Sequence, residues 1–192
     1  MKILKLEILN LASLDREGGE VIDFEAGTLK DSTIFSIVGP TGSGKSTILD
    51  AICLALYERA PRYTRLKKNG KLDTKKIEIL GSGEDDERNR LPPTDCRNIL
   101  SRGKKEGYSK LTFMDNKGDV YRAEWHVKFN RTKYEDNLPP SLYKITTQDG
   151  QLVEEVAEWK EIPEIIGLEY DQFLLTVLIA QGAFANFLNA DV

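Results

Sequence analysis

Nine consecutive residues have the types and the spacing needed to hold a phosphate chain. They are Gly39, Pro40, Thr41, Gly42, Ser43, Gly44, Lys45, Ser46 and Thr47, and they fit G-x-x-x-x-G-K-[ST], the phosphate-binding loop of nucleoside triphosphatases. The glycines allow the backbone to curl so that successive N–H groups face one concavity. The ammonium of Lys45 is expected to reach the β- and γ-phosphates, and the hydroxyl of Ser46 to ligate Mg²⁺. The loop therefore predicts a site for a nucleoside triphosphate and Mg²⁺.

The residues around the loop predict the elements that must position it. Residues 33–38 form a short apolar, β-branched run, which predicts a buried strand leading into the loop. After the loop, apolar residues recur at helical spacing without Gly or Pro, at Ile48, Leu49, Ala51, Ile52, Ala55 and Leu56. Strand, loop and helix thus follow in the required order, and the positive end of the helix dipole faces the phosphates.

The composition indicates a soluble globular protein. The chain has 192 residues, of which 40% are hydrophobic and 30% charged, with a net charge of −4. No apolar run approaches the roughly 18 residues that span a bilayer, and charges interrupt the first seven residues where a signal peptide would be apolar. Two cysteines cannot form a disulfide framework. These features predict a cytoplasmic protein without a membrane partner.

The remaining pattern predicts four regions. Strands are expected over residues 2–9, 21–24, 108–113, 120–127 and 141–145. Helices are expected over residues 154–166, with a break near Pro163, and over residues 170–179. Charges, glycines and prolines between residues 58 and 96 predict a mobile excursion. The regions are the phosphate loop at 39–47, the excursion at about 58–96, a β-hairpin region at 108–147 and a helical region at 153–192.

Charge is segregated along the chain. Residues 58–76 carry eight lysines and arginines, whereas residues 149–171 are strongly acidic. Such asymmetry is typical of an anionic ligand bound on one side. It is equally typical of a solvated loop and a solvated helix face, and the sequence leaves both interpretations open.

One short motif has two interpretations. Asn116, Lys117, Gly118 and Asp119 match N-K-x-D, which reads guanine in GTPases. There the motif follows a buried apolar strand, whereas here it follows an alternating one and has the composition of a hairpin turn. We therefore predict a turn.

Two longer segments carry a family resemblance. The first is residues 39–57, GPTGSGKSTILDAICLALY, followed by Arg59, Ala60, Pro61 and Arg62; the second is residues 178–190, LIAQGAFANFLNA. Together with residues 2–4, 10–14, 22–24 and 121–125, they resemble the N-terminal part of the SbcC-type ATPases of DNA-repair nucleases, in the ABC/SMC superfamily. Thr41 is typical of this branch. The resemblance covers the whole chain and is weakest over residues 63–105.

The resemblance implies a fold, cofactors and a further site residue. The fold is α/β, the N-terminal lobe of an ABC-type P-loop ATPase head with a mixed or antiparallel sheet, and the cofactors are ATP and Mg²⁺. Gln181 occupies the Q-loop position, where it would ligate Mg²⁺ together with Ser46 and orient the attacking water. Ala12 stands where related ATPases often have a polar side chain near the nucleotide.

The resemblance also implies partners and a division of labour. The partners are a nuclease subunit of the SbcD type, double-stranded DNA ends and a second copy of the same head. ATP-driven head closure would gate DNA access to the nuclease. The chain contains no LSGG-like signature and no apolar run ending in Asp-Glu after the loop; the family has both beyond a long coiled coil. The 192-residue chain alone is thus expected to be inactive in hydrolysis.

Two other functions are compatible with a phosphate loop. A self-contained small P-loop kinase or GTPase would turn over nucleotide alone. A non-catalytic interaction module would bind nucleotide structurally and keep its function without Lys45. If a DNA surface exists, residues 58–76 and a second basic group should form it through phosphate contacts, the group being Arg97, Arg102, Lys104, Lys105 and Lys110.

Overall fold

An antiparallel sheet dominates the fold. The computed structural model describes residues 1–30, 32, 34, 36–63, 91–131, 133–135 and 138–176. Within this part of the chain, seven strands form one sheet: β1 Lys2–Leu9, β2 Glu20–Asp23, β3 Glu106–Met114, β4 Val120–Asn130, β5 Lys133–Tyr134, β6 Ser141–Gln148 and β7 Gln151–Ala157. Their order is β2-β1-β3-β4-β6-β7, with β5 beside β4. Every pairing is antiparallel, as the predicted sheet type allows.

The motif with two interpretations lies in the turn between β3 and β4. The carboxylate of Asp115 accepts hydrogen bonds from the backbone N–H groups of Lys117 and Asp119, at 2.8 and 2.9 Å. A carboxylate that bonds the backbone two residues ahead is a common way of closing a turn. The four residues from Asn116 to Asp119 thus form a hairpin turn, as predicted.

The helix predicted over residues 154–166 is wrong in its first part. Residues of β7 pair with β6 instead, with Gln148 opposite Gln151. Asp149 and Gly150 connect the two strands and both have positive φ, 50° and 76°, as a two-residue type I′ hairpin requires. The turn therefore fixes the strand pairing, and the glutamates of β7 lie on an exposed edge strand rather than on a helix. The region at 153–192 is thus not helical throughout.

Three α-helices are described: α1 Lys45–Tyr57, α2 Ile162–Ile166 and α3 Tyr170–Thr176. The helix predicted over residues 170–179 is present as far as Thr176, and residues 177–179 lie outside the described part of the chain. Pro163 stands in the first turn of α2, where the lack of an N–H group is tolerated. None of the described helices has the length and apolar character needed to cross a membrane.

Helix α1 is fixed on both sides by hydrogen bonds from side chains to its backbone. The Ser109 hydroxyl of β3 donates to the carbonyl of Ala51 at 2.7 Å, and the Trp159 indole donates to the carbonyl of Ala55 at 3.0 Å. The side chains from Ala51 to Leu56 are all buried. A helix buried all round is packed between layers, so the loop that precedes α1 has a fixed end.

The strand predicted over residues 33–38 is wrong for the residues that the structure describes. Neither Ile34 nor residues 36–38 belong to a strand, and Ile34 and Val38 are 89% and 84% exposed. A strand needs a neighbour for its N–H and C=O groups, and no described strand pairs with this segment. Residues 64–90, most of the predicted excursion, lie outside the described residues.

Candidate nucleotide-binding site

The glycines of the phosphate loop have the backbone conformation that the motif requires. Gly42 and Gly44 have φ of 86° and 89°, in the left-handed region that glycine adopts without strain. Gly44 is the N-cap of α1 and provides no side-chain hydrogen bond to it. The helix therefore begins at Lys45 with first-turn N–H groups that no capping side chain satisfies, which is the usual arrangement for binding an anion.

Lys45 lies folded over the loop. Its ammonium donates hydrogen bonds to the carbonyl oxygens of Gly39 and Pro40, at 2.7 and 2.6 Å. No described carboxylate forms an ion pair with it. Ser46, the predicted Mg²⁺ ligand, is exposed beside it. A lysine whose partners are neutral carbonyls can gain from phosphate oxygens, because bonds to a charged acceptor are stronger.

Two glycines of the loop lie in close contact with neighbouring side chains. A β-carbon at Gly39 would lie 2.8 Å from the Ser43 hydroxyl oxygen. A β-carbon at Gly44 would lie 2.5 Å from Leu14 Cδ2 and 3.4 Å from the Ser13 hydroxyl oxygen. The phosphate loop thus packs against the turn that follows β1.

This turn after β1 is itself held firmly. Ala12 has φ of 48°, an uncommon value for a residue with a β-carbon. Its N–H donates to the carbonyl of Ile99 at 2.7 Å, and its carbonyl accepts from the Ser101 hydroxyl at 2.8 Å. Ala12 offers only a methyl group beside the site, and the polar side chain that faces Gly44 from this turn is Ser13.

A polar cluster beneath the loop was missed by the sequence analysis. Arg62 donates from Nη2 to the Thr47 hydroxyl at 2.9 Å and from Nε to the carboxylate of Asp50. Thr47 and Asp50 are buried, at 2% and 1% exposure. Burial raises the pKa of Asp50, and the charge and hydrogen bonds of Arg62 oppose that effect. The available signal was an aspartate among the apolar residues of α1, which requires a partner.

Other predicted residues are not brought to the loop. Gln181 lies outside the described residues, so its role as a catalytic Mg²⁺ ligand stays a prediction. In the second basic group, Arg97 pairs with Asp95 and Lys110 with Glu124, at 2.8 and 3.6 Å. A cleft of about 970 Å³ opens at the other end of α1, and its described lining includes no residue of the phosphate loop.

Comparison with known proteins gives the class to which this fold and site belong. A sequence model of the AAA domain matches residues 5–192. The chain therefore belongs to the AAA domain family, and the predicted α/β P-loop ATPase fold is confirmed.

The particular relatives are subunits of a nuclease and a probable DNA-repair ATPase. The chain is 38% identical to the SbcC subunit of the SbcCD nuclease of Pseudomonas aeruginosa over 99% of its length, and 36% identical to that of Rhodobacter capsulatus over 100%. It is 30% identical, over 98% of its length, to a probable DNA double-strand break repair Rad50 ATPase of Aquifex aeolicus. It spans 15% of the length of each of these proteins. The resemblance to SbcC-type ATPases is confirmed over the whole chain.

Proposed function

We propose that this chain is the ATP-binding lobe of an SbcC-type DNA-repair ATPase. The observation that carries the proposal is the position of Lys45, whose ammonium lies on the carbonyls of Gly39 and Pro40 at the mouth of a glycine-rich loop. The loop ends in the N-terminus of α1, which no side chain caps. A lysine, a curled backbone and a helix N-terminus together form a site for a triphosphate.

The residues of the loop divide the binding of ATP–Mg²⁺ between them. The loop N–H groups and Lys45 would hold the phosphates, with Lys45 exchanging its neutral acceptors for charged ones. The exposed hydroxyl of Ser46 would hold Mg²⁺, which when bound neutralises charge on the β- and γ-phosphates. These residues fit ATP–Mg²⁺, since phosphate oxygens accept hydrogen bonds from N–H groups and Mg²⁺ prefers oxygen ligands such as the Ser46 hydroxyl.

The function of the intact protein goes further than binding. We infer that it hydrolyses ATP between two copies of the head, with Gln181 orienting the attacking water, and that the cycle gates the access of double-stranded DNA ends to a nuclease subunit of the SbcD type. The names of the SbcCD and Rad50 relatives support this inference. The γ-phosphate of bound ATP would shift the equilibrium between the open and closed states of the two heads.

The exposed residues before the loop support an additional contact in the intact protein. Ile34, Ile37 and Val38 are apolar, β-branched and exposed within five residues of one another, and a cluster of exposed apolar side chains is a feature of interfaces. We infer that a strand from another part of the protein pairs with residues 33–38. The predicted strand would then form only when that partner is present.

Isothermal titration with ATP–Mg²⁺ tests the proposed site. Lys45→Ala should abolish binding or weaken it strongly, because the phosphates lose their compact cation. Lys117→Ala is the matched control, since it removes a lysine from the β3–β4 turn. Equal affinities of the Lys45→Ala variant and the unaltered protein would rule out the phosphate-loop interpretation.

The same titrations test the GTPase alternative, and a functional assay of the Lys45→Ala variant tests the non-catalytic one. A small GTPase would prefer GTP and would need Lys117 and Asp119 for the base, but these residues form a hairpin turn and Asp119 pairs with Lys144 at 2.9 Å. GTP preference together with a loss of binding in the Lys117→Ala variant would favour that alternative. A non-catalytic module would keep its function after Lys45→Ala even though nucleotide binding is lost.

A further inference from the structure

A single arginine holds two buried polar side chains of the helix that follows the phosphate loop. Thr47 and Asp50 are three residues apart on α1, so they lie on the same face. Arg62, in the 3₁₀ turn Pro61–Tyr63, bonds the Thr47 hydroxyl at 2.9 Å and the Asp50 carboxylate through Nε. The Arg62 backbone N–H donates to the same carboxylate at 3.2 Å. The planar fork of a guanidinium can hold two acceptors at once in this way.

The burial of the two acceptors makes their orientation strict. The Asp50 side chain is 2% exposed and that of Arg62 29%. A buried carboxylate without a partner is strongly unfavourable, so it stays where its hydrogen bonds are made. Because Thr47 lies in the first turn of α1 and Asp50 in the second, these bonds fix the rotation of the first turn.

That first turn contains the two residues on which the nucleotide site depends. Lys45 and Ser46 directly precede Thr47, so the orientation of the first turn determines the direction of their side chains. We propose that Arg62 is a positioning residue for the phosphate site, which it serves by holding Thr47 and Asp50 so that Lys45 and Ser46 face the triphosphate and Mg²⁺. This inference rests on the proposed function.

A purely structural ion pair would behave differently. It would change the midpoint of unfolding but not the affinity of the folded protein for ATP–Mg²⁺. A positioning residue changes the affinity under conditions where all the protein is folded. Partners that orient ligand residues are typically worth about ten- to a hundredfold in affinity for the bound group.

The test compares two arginines of similar geometry. Arg122 bonds two carboxylates, Glu124 at 2.6 Å and Glu154 at 2.7 Å, and its side chain is 24% exposed. It lies on β4, and neither of these bonds goes to α1. Arg62→Lys keeps the charge and loses the fork, so the lysine can reach one acceptor and not both. We expect Arg62→Lys to weaken ATP–Mg²⁺ binding about tenfold in calorimetry well below the unfolding midpoint. Arg122→Lys should leave the affinity unchanged.

A second comparison shows whether the effect passes through the first turn. In a Ser46→Ala background, Arg62→Lys should cost less affinity than in the unaltered protein, since residues that act as one unit are not additive. Should Arg62→Lys not fold, Asp50→Asn and Glu124→Gln replace the two arginine variants. Asp50→Asn weakens the acceptor that Arg62 bonds and should weaken ATP–Mg²⁺ binding several-fold. Glu124→Gln makes the same change in a buried carboxylate bonded by Arg122, away from α1, and should leave the affinity unchanged.

The outcomes separate this inference from the proposed function. If the protein binds ATP–Mg²⁺ through Lys45 but Arg62→Lys and Arg122→Lys have equal affinities, Arg62 only stabilises the fold and the inference is overturned. Full additivity with Ser46→Ala, or equal affinities of Asp50→Asn and Glu124→Gln, overturns it as well. If the unaltered protein binds no ATP–Mg²⁺, the proposed function itself fails.

Discussion

The side chain of Leu14 lies directly against Gly44, so that a β-carbon at position 44 would stand 2.5 Å from Leu14 Cδ2 and 3.0 Å from its Cγ. Leu14 belongs to the turn after β1, and Gly44 is the residue of the phosphate loop directly before α1. The contact joins two segments 30 residues apart, counted from their numbers 14 and 44. It makes the shape of the loop depend on the turn.

Gly44→Ala should therefore destabilise the protein by about 2–5 kcal/mol. A left-handed conformation costs a residue with a β-carbon about 1–2 kcal/mol, and overpacking against Leu14 adds about 1–3 kcal/mol. Urea unfolding measures the change.

Gly42→Ala is the matched control for this variant. Gly42 also has positive φ, at 86°, but nothing lies within 4 Å of the place that a β-carbon would take there. Only the conformational cost of about 1–2 kcal/mol is then expected. Leu14→Ala should reduce the difference between the two variants, because contacting residues are coupled. Equal destabilisation by Gly42→Ala and Gly44→Ala would contradict the importance of the Leu14 contact.

Ser46→Ala should act on Mg²⁺ rather than on the phosphates. Ser46 is exposed at the start of α1, and loss of a bond to a charged group is worth about 1.5–3 kcal/mol, or about ten- to a hundredfold in affinity. The deficit should appear with ATP–Mg²⁺ and shrink when ATP is titrated in EDTA. A deficit of the same size in EDTA would assign Ser46 to the phosphates instead.

The sheet face away from α1 carries a buried carboxylate that should make stability depend on pH. Glu124 is 6% exposed and is bonded by His126 at 3.0 Å and by Arg122 at 2.6 Å. The hydrogen bond from His126 is the largest cause that lowers the pKa of Glu124, from 4.5 to about 2, followed by Arg122 and Lys110. Since the folded-state pKa is depressed, the stabilisation is complete above pH 4.5 and is lost as the pH falls toward 2.

Glu124→Gln should remove that dependence. At pH 7 the variant should be less stable by about 1–3 kcal/mol, the worth of hydrogen bonds to a charged group, and its stability should fall less than that of the unaltered protein between pH 4.5 and 2. Glu154→Gln is the control, because Glu154 is 42% exposed and exposed pairs contribute about 0–1 kcal/mol. Identical pH profiles for the unaltered protein and Glu124→Gln, measured by urea unfolding, would contradict the assignment.

Local patterns predicted the elements that local contacts determine. The alternating residues of β3 and β4 predicted a hairpin, and the apolar spacing after Lys45 predicted α1. The glutamates of β7 indicated a helix, but the Asp149–Gly150 turn, which has two positive φ values, determines their pairing. The strand expected at residues 33–38 depends on a neighbour, and no sequence pattern in that segment reveals whether one is present.

The candidate site was predictable to the extent that it is contiguous. Lys45 and Ser46 belong to one motif, and the motif alone indicates their chemistry. Arg62 was noted as part of a basic run and of a segment that resembles SbcC-type ATPases, but its contact with α1 was not predicted, because its bond to Asp50 crosses 12 residues of chain. The contact of Leu14 with Gly44 was hidden for the same reason: tertiary packing brings together residues that no short motif links.

The second basic group, proposed as a DNA surface, contains both paired and exposed cations. Arg97 and Lys110 are engaged with Asp95 and Glu124, whereas Arg102 and Lys105 are exposed in the segment that leads into β3. Nonspecific DNA binding is due mainly to cations placed along phosphates. Within this basic group, Arg102 and Lys105 are therefore the side chains most accessible to a duplex.

In the intact protein, reversing both Lys104 and Lys105 to Glu should weaken duplex binding at every sequence. The slope of log affinity against log salt should flatten by about one unit for each DNA phosphate that the protein no longer neutralises. Lys117→Glu is the control, because Lys117 is exposed in the turn at the opposite end of β3 and should alter neither quantity. If affinity and salt slope are unchanged in the double variant, this segment does not contact DNA. If they change equally in the double variant and in the control, only the overall charge matters.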